Sequence, residues 1–174
     1  MIERAQVLPL LNRIVNLRTE TLRTRPFFGR LLLHLKIGFA ESGTAYTDMK
    51  QIVFDPSFAG PMSDDELWFL MMHELMHCVL HHCTRGEGLD PLLYNIACDI
   101  VVNSLIEETL GVTDFIVAGQ PAMHLAPNKK EGRVYTAEQV YEMLQKASPK
   151  TLQQMYGLPT PPKKGEGDGE DGSH

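Results

Sequence analysis

Two histidines and a glutamate near the middle of the chain have the spacing of a metal site on a helix. The run HELMH at residues 73–77 places His73 and His77 one helical turn apart on one face, so both imidazoles can reach the same ion. Glu74 is offset by one residue, close enough to act on a water at that ion without binding the ion. The spacing predicts a zinc site with Glu74 as the general base of a hydrolase.

A catalytic zinc usually takes three protein ligands, so one is missing from this motif. His81 continues the i, i+4 series, but three histidines along a straight helix point along a line, and Cys83 stands where metzincins have their third histidine. On the next predicted helix, Asn95, Asp99 and Asn103 form a polar stripe among apolar residues, which is costly unless something binds it. We therefore expect Asp99 to be the third ligand, with His81 as the local alternative.

Helix-boundary signals surround both groups of candidate ligands. Ser63 and Glu66 form the pattern of a capping box and predict a helix from about 64 to 82. Asp90 followed by proline predicts the start of a second helix, which Gly111 should end after about residue 110. A loop and an antiparallel return between the two helices would bring Asp99 to the histidines.

The remaining pattern predicts helices at both ends and strands between them. Residues 3–24 have helical spacing, residues 27–40 read as a buried strand, and residues 46–54 read as a more polar strand at a possible sheet edge. Such an edge could align an extended peptide, although an ordinary structural strand fits the pattern equally well. Residues 111–134 should be mostly loop, followed by a last helix to about Lys146. Together these elements predict an α+β fold.

Composition limits the classes of function. The 174 residues carry 16 Lys and Arg against 22 Asp and Glu, a net charge of -6, which argues against dedicated nucleic-acid binding. Residues 1–36 are nevertheless basic, which suggests docking within the molecule or onto a partner. No apolar run is long enough for a membrane span, and there is no secretory signal. We expect one domain over residues 1–158 and a flexible acidic tail or truncated linker over 159–174.

The cysteines argue against a disulfide framework and against a thiolate metal site. Cys78, Cys83 and Cys98 are three in number, and two of them stand next in sequence to a proposed ligand and so should point away from it. Free cysteines are typical of a reducing compartment, which predicts a cytoplasmic protein.

The two motifs in succession resemble a known family. HELMH followed by YNIACDIVVN is similar to the bacterial metallopeptidase domain found N-terminal to a von Willebrand factor A-like (VWA-like) domain, in which an HExxH helix precedes a helix of the type WNxAxDxxxN. Tyr94 stands here in place of the usual tryptophan. The resemblance covers most of residues 25–145.

This resemblance implies a zincin-like fold and a zinc peptidase that acts on protein or peptide substrates. His73, His77 and Asp99 would bind the zinc, and Glu74 would be the general base. It also implies a MoxR-type AAA ATPase as partner and a C-terminal VWA-like region beyond the present chain, to which the acidic tail would be the linker.

Two alternative functions stay open at this point. The domain could be a non-catalytic metal-binding module that serves assembly with a partner, or a latent protease that needs the C-terminal region. An inert module would tolerate Glu74→Gln, whereas a hydrolase would lose activity and keep its metal. The group that stabilises the oxyanion is not fixed by the sequence, and the candidates are His81, His82, His124 and Tyr94.

Overall fold

A computed structural model describes residues 2–159 as a mixed α+β structure with two small sheets. The elements in chain order are α1 (Arg4–Thr24), α2 (Pro26–His34), β1 (Lys36–Phe39), β2 (Ala45–Thr47), β3 (Gln51–Phe54), α3 (Pro56–Ala59), α4 (Asp64–Val79), α5 (His82–Arg85), α6 (Pro91–Leu110), β4 (Ile116–Val117), β5 (Gln120–Pro121), a 3₁₀ turn (Gly132–Val134), α7 (Ala137–Lys146) and α8 (Pro149–Tyr156). Apart from Pro159, the predicted tail lies outside the described residues.

The strand predicted over residues 27–40 is wrong in its first part, where the chain forms α2 and only then enters β1. Pro26 takes the first turn of the helix, where its missing N–H costs no hydrogen bond. Gly29 lets α2 pack directly on α1, since a Cβ atom there would lie 2.2 Å from the Cα of Leu22. The run of large apolar residues therefore belongs to a helical hairpin, and the periodicity of so short a segment did not distinguish it from a strand.

The strand predicted over residues 46–54 is two antiparallel strands, β2 and β3, joined by a tight turn. The Asp48 carboxylate accepts hydrogen bonds from the backbone N–H groups of Lys50 and Gln51, at 2.9 and 3.0 Å, and Met49 has a positive φ of 71°. The sheet order is β1-β3-β2, with β1 parallel to β3. The edge position predicted for this segment therefore holds for β2 alone.

The two helices with candidate ligands begin as predicted. The Ser63 hydroxyl accepts from the Glu66 N–H at 3.2 Å, and the Glu66 carboxylate accepts from the Ser63 N–H at 2.8 Å, which completes the capping box of α4. Asp90 caps α6, and Gly111 ends it in the left-handed conformation with φ 68°. Helix α4 ends at Val79, earlier than predicted, because the chain turns sharply through a left-handed residue at position 81.

Helix α6 lies between two buried apolar clusters. Val102 and Ile106 pack into one cluster with α4 and the three-stranded sheet, while Ala97 and Ile100 pack into the other with α7. This position explains why most of α6 is apolar all round, and it fixes the few polar side chains of the helix in place.

Part of the basic N-terminal element docks within the molecule. The Arg13 guanidinium donates to Asp64 at 2.8 Å and to the Gly60 carbonyl at 3.0 Å, and Arg18 donates to the Leu32 carbonyl at 2.7 Å. Within residues 2–159, no helix has the length and apolar character needed to cross a bilayer.

Candidate metal centre and cleft

The structure brings His73, His77 and Asp99 together between α4 and α6. The Nε2 atoms of the two histidines lie 2.9 Å apart. Oδ1 of Asp99 lies 3.3 Å from Nε2 of His73 and 3.2 Å from Nε2 of His77. The three side chains are 17%, 14% and 33% exposed, so the cluster is shielded but open to a small solute.

The arrangement of these three atoms is suited to binding one metal ion. Zinc bonds of about 2.0–2.1 Å in a tetrahedron separate neighbouring ligand atoms by about 3.3 Å, close to the separations from Asp99. Two imidazole lone pairs and a carboxylate oxygen that face one point repel unless a cation lies between them. Imidazole nitrogen and carboxylate oxygen are also among the usual ligands of zinc. The donor set therefore fits the metal that the motif predicts.

A hydrogen bond behind His73 selects the ring nitrogen that faces the cluster. Nδ1 of His73 lies 2.8 Å from Oδ1 of Asn103, and Nδ2 of Asn103 donates to the Met123 carbonyl at 3.0 Å. Because the amide oxygen can only accept, Nδ1 carries a proton, and Nε2 is the nitrogen available to a metal ion in the cluster. This is the outer hydrogen bond that metal-binding histidines usually make.

His77 is oriented by a third histidine that the sequence interpretation considered only as an oxyanion candidate. Nδ1 of His77 lies 3.1 Å from Nδ1 of His82, a buried residue at the start of α5. Burial lowers the pKa of His82 to about 4, with the charges of His77 and Arg85 acting in the same direction. His82 is therefore neutral at neutral pH and can accept the Nδ1 proton of His77, which leaves Nε2 of His77 directed at the cluster.

The charges of the cluster are strongly coupled in the metal-free protein. Burial disfavours the imidazolium form of His73, but the hydrogen bond and charge of Asp99 outweigh it and raise the pKa of His73 to about 9. Burial also opposes ionisation of Asp99, yet the hydrogen bonds from His73 and His77 hold its pKa far below the usual range. The pKa of His77 is lowered, chiefly by burial. One proton thus occupies the site that a cation would fill.

Glu74 is buried beside this cluster, with 6% of its surface exposed. Burial raises the pKa of its carboxyl group to about 7, while the charge of His73 opposes the shift. A carboxylate whose pKa lies near neutral pH is suited to both taking and returning a proton.

A cleft of about 550 Å³ lies over the cluster and is lined by His73, Glu74, His77 and Asp99. Residues 44–47, which include the edge strand β2, form one wall, and residues 120–123 with Val117 of the β4–β5 hairpin form part of the rest. The segment 111–134, predicted to be mostly loop, therefore contributes a small hairpin to the cleft.

The other predicted candidates are dispersed. Of the four oxyanion candidates, only His82 lines the cleft. His81, which was also the alternative third ligand, is an exposed residue with φ 56° between α4 and α5, so it does not continue the i, i+4 series of α4. Tyr94 packs beside His82, and His124 lies in a separate cluster. The three cysteines are free, as predicted, but Cys98, which was expected to point away from the ligands, lines the same cleft, as does Cys83.

Comparison with known protein families gives a match over most of the chain. A family model with the description "Putative metallopeptidase domain" matches residues 13–174, which is nearly the whole chain. No curated protein and no solved structure matches.

Proposed function

Because the chain belongs to this family of metallopeptidase domains, we propose that it is a zinc-dependent peptidase of the HExxH type with a zincin-like site. His73, His77 and Asp99 would hold the metal. The observation that carries the proposal is the convergence of two Nε2 atoms and one carboxylate oxygen, within 3.3 Å of one another, in a cleft that also contains Glu74.

The chain's own residues supply the proton transfers of peptide hydrolysis. Bound zinc would lower the pKa of a water molecule and polarise the scissile carbonyl. Glu74 takes a proton from the attacking water and passes it to the departing amine, so that the peptide bond is replaced by a carboxylate and an amine. His82 and Asn103 hold the imidazoles of His77 and His73 in the required orientation.

The edge strand β2 is the element suited to align a substrate. It pairs with β3 on one side only and borders the cleft. An extended peptide that adds to this edge would form main-chain hydrogen bonds with β2 and lie across the metal cluster. We propose protein or peptide segments in extended conformation as the substrate class.

Location and partners follow from sequence and resemblance. We place residues 1–158 in one cytoplasmic domain, in keeping with the free cysteines, and propose a MoxR-type AAA ATPase and a VWA-like C-terminal region as its partners. Residues 159–174 would be the linker to that region.

Metal content is the first test. Protein purified without chelator or histidine tag is dialysed against Zn²⁺ and analysed for metal beside Asp99→Ala and beside Asp65→Asn, an exposed control on α4. We expect zinc in the wild type and the control, and its loss or strong weakening from the cleft in Asp99→Ala. Absence of zinc from the wild type would overturn the proposal, and full retention in Asp99→Ala would remove Asp99 from the site.

The Glu74→Gln variant separates an enzyme from a non-catalytic metal-binding module. We expect it to keep the zinc and to lose about 10²- to 10⁴-fold in peptidase rate on a mixture of quenched fluorescent peptides, because the general base is gone. Glu142→Gln, an exposed position on α7, is the matched control. Zinc binding without turnover in both wild type and Glu74→Gln would assign the domain to the non-catalytic class, and equal measurable turnover in both would show that Glu74 is not the general base.

A further inference from the structure

A second group of metal-ligand side chains combines one residue of α6 with two residues that follow the β4–β5 hairpin. Glu107 on α6, His124 and Glu131 bring ligand atoms within 4.8 Å of one another. Nδ1 of His124 lies 3.2 Å from both carboxylate oxygens of Glu131 and 3.4 Å from Oε2 of Glu107. The side chains of Glu107 and His124 are 3% and 7% exposed.

The outer contacts of this group match those of a metal site. Nε2 of His124 lies 2.9 Å from Oδ1 of Asp114, so this nitrogen carries a proton and leaves the Nδ1 lone pair for a ligand role. Oε2 of Glu131 accepts from Ser104 at 2.7 Å and contacts Arg133 at 3.1 Å. The histidine and one glutamate are thus held from outside the group.

Glu107 supplies an independent indication. Its Oε1 accepts from the Phe115 N–H at 2.7 Å, and its Oε2 lies 3.4 Å from Nδ1 of His124. An ionised carboxylate on a side chain that is only 3% exposed is costly unless a cation is near.

The separations around Nδ1 of His124 are longer than those of a strong ion pair. Charge-assisted N–H···O bonds span about 2.7–2.9 Å, whereas Nδ1 is 3.2–3.4 Å from three carboxylate oxygens. Separations near 3.3 Å are about those of neighbouring ligand atoms around one small metal ion. The carboxylates of Glu107, Asp114 and Glu131 outnumber the one guanidinium of Arg133, which also contacts Glu108, and a divalent cation would balance the excess negative charge.

We propose that Glu107, His124 and Glu131 form a second metal site that binds a divalent transition-metal ion such as Zn²⁺ or Mn²⁺. Imidazole with two carboxylates is a donor set that both ions accept. The site joins α6 to residues 124 and 131, which flank the cleft-lining segment 120–123 on its C-terminal side. Its role is to fasten this wall of the cleft to α6, and it does not depend on the proposed peptidase activity.

The two sites share the framework of α6. Asp99, Asn103 and Glu107 follow one another at four-residue intervals on one helix face. The amide oxygen of Asn103 contacts His73, and its amide nitrogen donates to the carbonyl of Met123. His124 directly follows Met123 in the chain. A metal at the second site would therefore hold Met123, and through Asn103 the orientation of His73.

The test counts metal ions per chain. Wild type, Asp99→Ala, His124→Gln and the double variant are dialysed against Zn²⁺, and in parallel against Mn²⁺, and analysed for metal, with circular dichroism as the check on folding. We expect two ions of one of these metals in the wild type, one in each single variant and none in the double variant. His34→Gln on α2, an exposed position, is the control and should keep two.

A single ion in the wild type that disappears in Asp99→Ala, or two ions retained in a folded His124→Gln, would overturn the second site. If His124→Gln does not fold, Asp114→Asn decides, because Asp114 is 75% exposed and contacts the histidine from outside. If Asp114→Asn binds the second ion about 10- to 100-fold more weakly than wild type, the result supports the site. Unchanged affinity for both ions overturns it.

Discussion

The hydrogen bonds behind the two histidines of α4 determine which ring nitrogen is available in the cleft. Asn103 holds the Nδ1 proton of His73, and His82 can accept that of His77, so that both Nε2 atoms face Asp99. The orientation of the ligands is therefore set by residues from α6 and from the start of α5. Neither residue belongs to the HExxH motif.

For this residue we predict that Asn103→Ala lowers zinc affinity by about 10- to 100-fold, because His73 loses the acceptor that fixes its tautomer and orientation. Asn103→Asp keeps an acceptor oxygen and should retain more of the affinity. The measurement is a competition titration against a chromophoric chelator. Asn95→Ala is the matched control on the same helix, since Asn95 is exposed at the cleft and, within residues 2–159, makes no hydrogen bond to His73 or His77. Equal affinities for Asn103→Ala and Asn95→Ala would contradict the role of Asn103.

At the scale of elements, the contact between α1 and α2 depends on one residue without a side chain. Gly29→Ala should destabilise the protein by about 1–3 kcal/mol, because the added methyl group meets the backbone of Leu22, which cannot turn away as a side chain would. Urea unfolding measures the change. Arg30→Ala, at an exposed position of the same helix, should be close to neutral, and a Gly29→Ala variant as stable as Arg30→Ala would show that the two helices are not packed this closely.

Asp55 connects the turn before β2 to the start of α3. Its carboxylate accepts from the N–H groups of Gly43 at 2.7 Å, Ser57 at 2.8 Å and Ser42 at 3.0 Å. These bonds, led by those from Gly43 and Ser57, lower the pKa of Asp55. A carboxyl group whose pKa is lower in the folded state stabilises the fold above its unfolded pKa, near 3.9, and loses this contribution as the pH falls.

Acidification should therefore lower the thermal stability of the wild type more than that of Asp55→Asn. We expect the wild type to be the more stable at pH 7, and the difference in thermal unfolding temperature to shrink as the pH falls from about 5 to about 2. Thermal melts over this range make the comparison, with the exposed Asp65→Asn as control. A difference that stayed constant with pH would mean that the ionised carboxylate is not what the turn requires.

At the scale of the whole molecule, α6 joins both apolar clusters and both groups of ligand side chains. Its apolar residues pack on α4 and the sheet on one side and on α7 on the other, while Asp99 and Glu107 each meet side chains from other parts of the chain. A metal bound between α4 and α6 would therefore cross-link elements of the same core. Metal binding and global stability should be coupled.

This coupling predicts a stabilisation that a chelator removes. Free zinc at 100 times its dissociation constant should stabilise the fold by about 2.7 kcal/mol, which corresponds to roughly 5–10 °C in unfolding temperature for a chain of this size. Thermal melts with zinc and with chelator measure it. Asp99→Ala should show a smaller shift in unfolding temperature than wild type. Identical shifts in the two proteins would show that the zinc that stabilises the fold does not bind in the cleft.

The sequence alone determined what depends on local spacing and capping. Ser63 with Glu66 and Asp90 with its proline fixed where α4 and α6 begin, because a capping side chain satisfies N–H groups within the same turn. The four-residue spacing of His73 and His77 placed both on one face of α4. The polar stripe through Asp99 indicated a partner, because an unsatisfied polar group on an apolar helix is costly.

Tertiary structure decided what depends on contacts between distant segments. The apolar run 26–34 is helical because Gly29 can pack on α1, and its own pattern does not contain that contact. Asn103 and His82 orient the ligand histidines through contacts between different helices, and Asn103 is 30 residues from His73 in sequence. His124 does not line the cleft but contacts the buried carboxylate of Glu107. Sequence spacing determines which side chains share an element, but only packing determines which elements bring their side chains to the same point.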